Sequence, residues 1–171
     1  EDVLQIAELA SRVIETGRQV SGTRDIRCTV SIGGFVPKPH TPFQWAAMAD
    51  IGTLKARIKK IKAELNRVPN VRVHSDIPRW AFVQALLARG DRRVAEILAR
   101  VHALSGNWAQ ALKIVAVNPD FYVGRERDLD ETLPWDFIDH GVTKAFLKQD
   151  YQRALDGRLI DYASIRQAEV L

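Results

Sequence analysis

Three prolines within six residues set Val36-Pro37-Lys38-Pro39-His40-Thr41-Pro42-Phe43-Gln44-Trp45 apart as the segment best equipped for chemistry. Each proline removes a backbone donor and biases its predecessor toward extended geometry, so a stiff loop is predicted and no regular element. The segment follows a β-rich run, and the carboxyl end of a parallel strand is where α/β sheets and barrels place ligands. There Lys38 and His40 could meet an anion or carboxylate, and Phe43 and Trp45 could flank a planar ring, with Thr41 and Gln44 in the same loop. The competing reading is a rigid strand-to-helix connection whose aromatic rings only cover the core.

A second polar group is Arg89-Gly90-Asp91-Arg92-Arg93. Its plain reading is structural: Gly90 ends one helix, Asp91 caps the next, and the arginines are solvated or pair with nearby carboxylates. The alternative is substrate contact through Arg89, Asp91, Arg92 and Arg93. Trp135, in Leu133-Pro134-Trp135-Asp136, reads as a core anchor under a turn. Asp136 and Asp139 are too close in sequence to be named a general acid–base pair without a site around them. Lys55, Lys59 and Lys62 share one helical face, which is either solvated or able to track the phosphates of an RNA. His40, His74, His102 and His140 show no HxxxH or HExxH spacing, so no metal site is predicted, and no residue is assigned a catalytic role. Cys28, the only cysteine, falls in the β-rich run and is expected to be a buried small apolar residue.

Several elements must position these groups. Val3, Leu4, Ile6, Ala7, Ala10, Val13 and Ile14 recur at helical spacing and predict a helix over 3–16, stopped by Gly17. The run 26–35 predicts a strand ended by Gly33-Gly34 and Pro37. Leu54, Ile58, Ile61 and Leu65 predict a helix over 53–67 with Thr53 as its N-cap, and Val71 and Val73 a short strand. Asp76 is expected to cap a helix whose stripe is Trp80, Val83, Leu86 and Leu87. Another helix carries Val94, Ile97, Leu98 and Val101 as far as Ser105-Gly106, the two forming an αα-hairpin. A short helix over 108–115, a loop through Asn118-Pro119 and the charged stretch 124–131, a helix bearing Val142, Phe146, Leu147 and Leu155, and a final helix over 159–168 complete the expectation.

The 171 residues suit one compact domain, or a small domain with a helical appendage. Apolar residues make up 46% and charged residues 27%, with no uninterrupted apolar run of membrane length, so no membrane association is expected. A single cysteine allows neither an internal disulfide nor a cluster held by several thiolates, and points to a reducing, cytoplasmic setting. The net charge of +4 permits an anionic partner without requiring one. The opening Glu1-Asp2-Val3, without methionine or leader, reads as part of something longer.

Three segments carry a family resemblance. The run from Ser31-Ile32-Gly33-Gly34-Phe35 through Val36 to Trp45 resembles the last-strand segment of a bacterial family of radical S-adenosylmethionine proteins that carry an amino-terminal cobalamin-binding-like domain. Ala88-Arg89-Gly90-Asp91-Arg92-Arg93 is similar to that family's RGDRR motif. Leu133-Pro134-Trp135-Asp136-Phe137-Ile138-Asp139, with Gly141-Val142, is similar to its late LPWDxID segment. Three matches in order over about residues 1 to 155 are far more specific than any one. The sequence departs from the family at Gln84, where a glutamate is expected, and over 159–171, where a cysteine-rich tail is expected. No carboxylate role is carried to Gln84, and no auxiliary metal site to the tail.

The resemblance implies an α/β, helix-rich chain: the last αβ unit or units of a partial (β/α) barrel in residues 1–49, then a mostly helical carboxy-terminal extension in 50–171. Residues 30–35 would be the final barrel strand, and the loop from Lys38 to Trp45 would face substrate or S-adenosylmethionine. The [4Fe-4S] cluster, on a CxxxCxxC loop, and S-adenosylmethionine belong to the full-length parent, as cobalamin does if the parent binds it. No cofactor is assigned to this chain. It would close the barrel, shape its substrate side and be inactive alone. The expected partners are the upstream barrel, an RNA or ribonucleoprotein substrate, and a second copy through an exposed barrel edge. The alternative function is an RNA-binding or self-association module accompanying such an enzyme. Substrate and reaction are not legible.

Overall fold

The computed structural model describes residues 2–158 and shows an α/β, helix-rich chain, with seven α-helices and two parallel strands among those residues. The helix expected over 159–168 lies outside the described residues. The chain forms two compact units, Glu1–Val36 with Met48–Ala85, and Pro37–Ala47 with Leu86–Leu171.

In the first unit, β1 (Cys28–Ile32) and β2 (Val71–Ser75) pair in parallel, Cys28 opposite Val71 and Ile32 opposite Ser75. Parallel strands need a long crossover, and α2 (Ile51–Leu65) lies in the chain between them. β1 is therefore followed by a further strand of the same sheet, where the resemblance implies a final one. Side chains alternate across a strand, so Val30, Ile32, Val71 and Val73 share one face. That face packs against Ala10 of α1 (Asp2–Ser21) and Ile61 and Leu65 of α2. The opposite face carries exposed Thr29, Ser31, Arg72 and His74.

Two helix ends differ from expectation. Gly17 lies inside α1, where a Cβ would come within 3.3 Å of Ile26 Cγ2. Gly22, at φ +67, takes the left-handed turn that stops the helix. Asp50, not Thr53, caps α2: its carboxylate accepts from the Thr53 backbone N–H at 2.8 Å and the Thr53 hydroxyl at 2.6 Å. A carboxylate three residues before Thr53 satisfies two donors at once, which the Thr53 hydroxyl could not.

α3 (Pro78–Arg89) begins in the first unit, and its last four residues belong to the second. Its buried residues include Ala81, Phe82, Val83, Ala85 and Leu86, while Trp80 and Leu87 are about half exposed. The buried stripe is thus rotated from the one expected. Small alanines at 81 and 85 form part of the inner face, a role that hydrophobicity ranking does not reveal.

The second unit holds α4 (Val94–Ala103), α5 (Trp108–Ile114), α6 (Pro119–Val123), α7 (Lys144–Leu155) and a single 3-10 turn at Pro42–Trp45. α4 packs on α5, and left-handed Ser105 and Gly106 make the turn between them. The structure corrects the loop expected at Asn118-Pro119: Asn118 accepts from the Asp120 N–H at 3.0 Å and Pro119 opens α6. Proline at the first helical position needs no donor, so a pair that reads as a breaker is a start. In α7, Leu147, Asp150 and Tyr151 are buried, whereas Leu155 is exposed. Among the described residues, no helix is long and apolar enough to cross a membrane.

Leu65, fully buried under the sheet, is expected on replacement by alanine to cost about 2–5 kcal/mol in urea denaturation. Leu9→Ala on the exposed side of α1 should stay within about 0.5 kcal/mol.

Candidate functional site

Residues from each of the three motif segments meet in the second unit around two buried guanidinium groups. Arg89, at the end of α3, is completely buried; it donates through Nη1 to the Val123 carbonyl at 2.9 Å and through Nη2 to the Arg125 carbonyl at 2.8 Å. Arg127, also buried, donates through Nη2 to the Arg89 carbonyl at 2.6 Å, and its backbone N–H donates to the Trp45 carbonyl at 2.9 Å. Its guanidinium lies 5.2 Å from the Trp135 ring centre. Burial, with Arg127 and then Arg125 close by, lowers Arg89 to about 10, and burial also lowers Arg127. Both remain charged at neutral pH, their desolvation offset by main-chain carbonyls and a π face.

Gln44 and Trp45 point into this core. Gln44 Oε1 accepts from Trp135 Nε1 at 2.7 Å and from the His40 backbone N–H at 3.1 Å. Trp45 packs with Leu133, Trp135, Leu147 and Tyr151. The short 3-10 turn lets adjacent residues 44 and 45 both be buried, and Thr41 steadies its approach by donating to the Lys38 carbonyl at 2.8 Å. The other loop residues lie further out. Lys38 and Thr41 are half-buried, and Phe43, partly exposed, meets Tyr151 edge-on at 5.7 Å. His40, held at φ +57, rests against His140 with ring centres 3.9 Å apart. Burial and His140 lower the His40 pKa against an opposing effect of Asp136.

The Arg89 to Arg93 segment divides its work. A Cβ on Gly90 would collide with Val94 Cγ2 and stand 2.7 Å from the Leu86 carbonyl, so only glycine fits between α3 and α4. Asp91 does not cap α4 as expected. Its carboxylate accepts Arg93's backbone N–H at 2.9 Å and guanidinium at 2.6 Å, and the Tyr122 hydroxyl at 3.0 Å. Arg92 is exposed and lines a groove of about 730 Å³ with Pro134 and Phe137. Arg89 is thus committed to buried carbonyls, whereas Arg93, paired with Asp91 yet largely exposed, lines the same groove as Arg92.

Sequence reading missed Arg125, Arg127, Glu131 and Lys144. Arg125 and Glu131 form a two-pronged pair at 2.6 and 2.7 Å. Lys144 spans from the Glu131 carbonyl at 2.7 Å to Asp136 at 2.6 Å. By sequence the charged stretch 124–131 reads only as a loop. Its one signal was the alternation Arg125-Glu126-Arg127, which in extended chain sends the two arginines to the same side.

Cys28 is the only cysteine, and among the described residues no three His, Cys, Asp or Glu side chains gather to hold a metal ion. These residues do not fit an iron–sulfur cluster. No protein-family model, curated protein or solved structure matches the chain.

Replacing Gln44 by leucine orphans the buried Trp135 donor, at about 1–3 kcal/mol, together with the part-buried His40 N–H, and should lower the urea midpoint far more than Phe43→Leu at the rim. Acid should also loosen this unit. The Arg93 hydrogen bond holds the Asp91 carboxyl, and the Arg125 hydrogen bond holds the Glu131 carboxyl, below their ordinary values. Such groups stabilise the fold above the unfolded-state carboxylate pKa of about 4, and that contribution is lost as the pH falls through the folded values. Urea midpoints should therefore hold from about pH 7 to 5 and drop below about 4, less steeply in Asp91→Asn with Glu131→Gln.

Proposed function

We propose that this chain is the carboxy-terminal part of a radical S-adenosylmethionine enzyme, closing its barrel and shaping the substrate side. The observation that carries the reading is the ordered set of three motif segments, around Gly33–Trp45, Arg89–Arg93 and Leu133–Val142. Their residues also work as one set: Gln44 is bonded to Trp135, and Arg127 ties the Trp45 carbonyl to the Arg89 carbonyl. Segments 91 residues apart that share a buried bond are constrained together, which supports treating them as one motif and not three coincidences.

In this reading the parent supplies the cluster and S-adenosylmethionine, whose reductive cleavage yields the radical, and no cleavage step falls to the residues described here. Their work is positional. The Arg89–Arg127 pair and the Gln44–Trp135 bond fix the Pro37–Trp45 loop, and the fixed loop leaves Lys38, His40 and Phe43 on its outer side. A β1–α2–β2 unit with parallel strands is compatible with the end of a (β/α) barrel.

The full-length parent, reconstituted with iron and sulfide under anaerobic reducing conditions, is expected to cleave S-adenosylmethionine to 5′-deoxyadenosine, while the 171-residue chain alone releases none. A parent without a CxxxCxxC loop, or one that holds a cluster yet leaves S-adenosylmethionine intact, overturns the reading.

A further inference from the structure

Two grooves of the first unit flank one short ridge, Ser75–Pro78, where β2 passes into α3. The groove on the α2 side measures about 670 Å³ and is lined by Lys55, Lys59 and Lys62, with Ile58 and Asn66 among them. Spacings of four and three residues put the lysines on one helical face, about 6 and 4.5 Å apart along the axis at about 1.5 Å per residue. Like charges at these spacings repel, and none of the three makes a hydrogen bond or ion pair among the described residues; the one acid that lines the groove with them is Asp76. Glu64, the one acid of α2, is taken by Arg67 at 2.9 Å. A row of uncompensated ammonium groups in a groove is complementary to a row of anions.

The groove across the ridge measures about 430 Å³ and differs in character, with Trp80, His74, Gln84 and Gly34 around it. Trp80 is 48% exposed and Ile77, on the ridge, 59% exposed, large apolar surfaces that the fold leaves in water. A half-exposed indole beside an amide and an imidazole offers a stacking face and polar groups at its edge. Asp76 lies on the ridge and borders both grooves, the only acid lining either. A carboxylate repels phosphate but accepts hydroxyl donors.

We infer that this ridge binds a single-stranded RNA, its phosphates along Lys55, Lys59 and Lys62, a base stacked on Trp80, and a ribose hydroxyl donated to Asp76. A charged track beside a stacking platform is the combination that recognises single strands. An acid at the crossing favours the sugar that carries a 2′-hydroxyl. The inference rests on residues outside the motif segments and stands whether or not the parent is a radical enzyme.

Fluorescence anisotropy with a labelled twelve-residue oligouridylate and the 171-residue chain tests it. Binding should weaken steeply with salt. The triple variant Lys55→Gln, Lys59→Gln, Lys62→Gln should flatten the slope of log affinity against log salt by about 2, at about 0.7 per phosphate contact on single strands. Trp80→Leu should weaken binding about tenfold without changing that slope. The matching DNA strand should bind less tightly, by a margin that Asp76→Asn narrows. All five positions have side chains at least partly in water, so circular dichroism and urea midpoints should match those of the parent chain. No binding at low salt, unchanged binding in either the triple variant or Trp80→Leu, or equal competition by heparin would overturn the inference.

Discussion

Two guanidinium groups withdrawn from water govern the second unit. Arg89 and Arg127 are buried near one another, and among the described residues neither is hydrogen-bonded to a carboxylate. Two like charges without such a partner would ordinarily be expelled from a protein interior. They remain because main-chain carbonyls of residues 89, 123 and 125 receive their protons and the Trp135 ring lies near one of them. Losing any of those acceptors would leave a buried guanidinium short of a partner. The path of the chain from Val123 to Arg127, the end of α3 and the placement of Trp135 are therefore mutually dependent. The Pro37–Trp45 loop joins them through the Trp45 carbonyl and Gln44.

The first unit depends on a simpler constraint. A parallel pair of strands buries one face under helices, and here α1 and α2 supply the cover through Ala10, Ile61 and Leu65. The other face is polar, and the strand end beyond it opens onto the ridge with its two grooves. The two units thus differ in what organises them: one is built on burial of aliphatic surface, the other on hydrogen bonding of buried charge.

Much of the first unit was legible in the sequence. Heptad-like spacing in α1 and α2 and alternation in β2 are repeated signals, each residue reinforcing the next. The helix ends were less legible, because choosing between Gly17 and Gly22 requires knowing that Ile26 returns against Gly17. The second unit was harder to read for a different reason. Arg89 reads by type as a residue for solvent, a carboxylate or a substrate, and Arg127 as part of a charged loop, yet the acceptors of both are carbonyls, which every residue carries and no sequence pattern marks. The position of the loop after a strand and the family resemblance point Gln44 and Trp45 toward a ligand, and for Trp45 it is the competing reading, a ring that covers the core, that agrees with the structure. The 3-10 turn, visible only in three dimensions, brings both inside.

The use of main-chain acceptors has an asymmetric consequence for sequence change. Arg89 recognises where the backbone of Val123 and Arg125 runs, and a carbonyl is present there whatever side chain the position bears. Substitutions along 123–126 can therefore leave these bonds intact, provided the chain keeps its course. At position 89 there is no such freedom. A lysine offers a single ammonium where a planar fork reaches two carbonyls, and no second-site change in a side chain could restore what is lost. A pair of opposite charges can be swapped or co-varied over time, whereas an arginine bonded to backbone has nothing to trade with. This joint should drift on one side only.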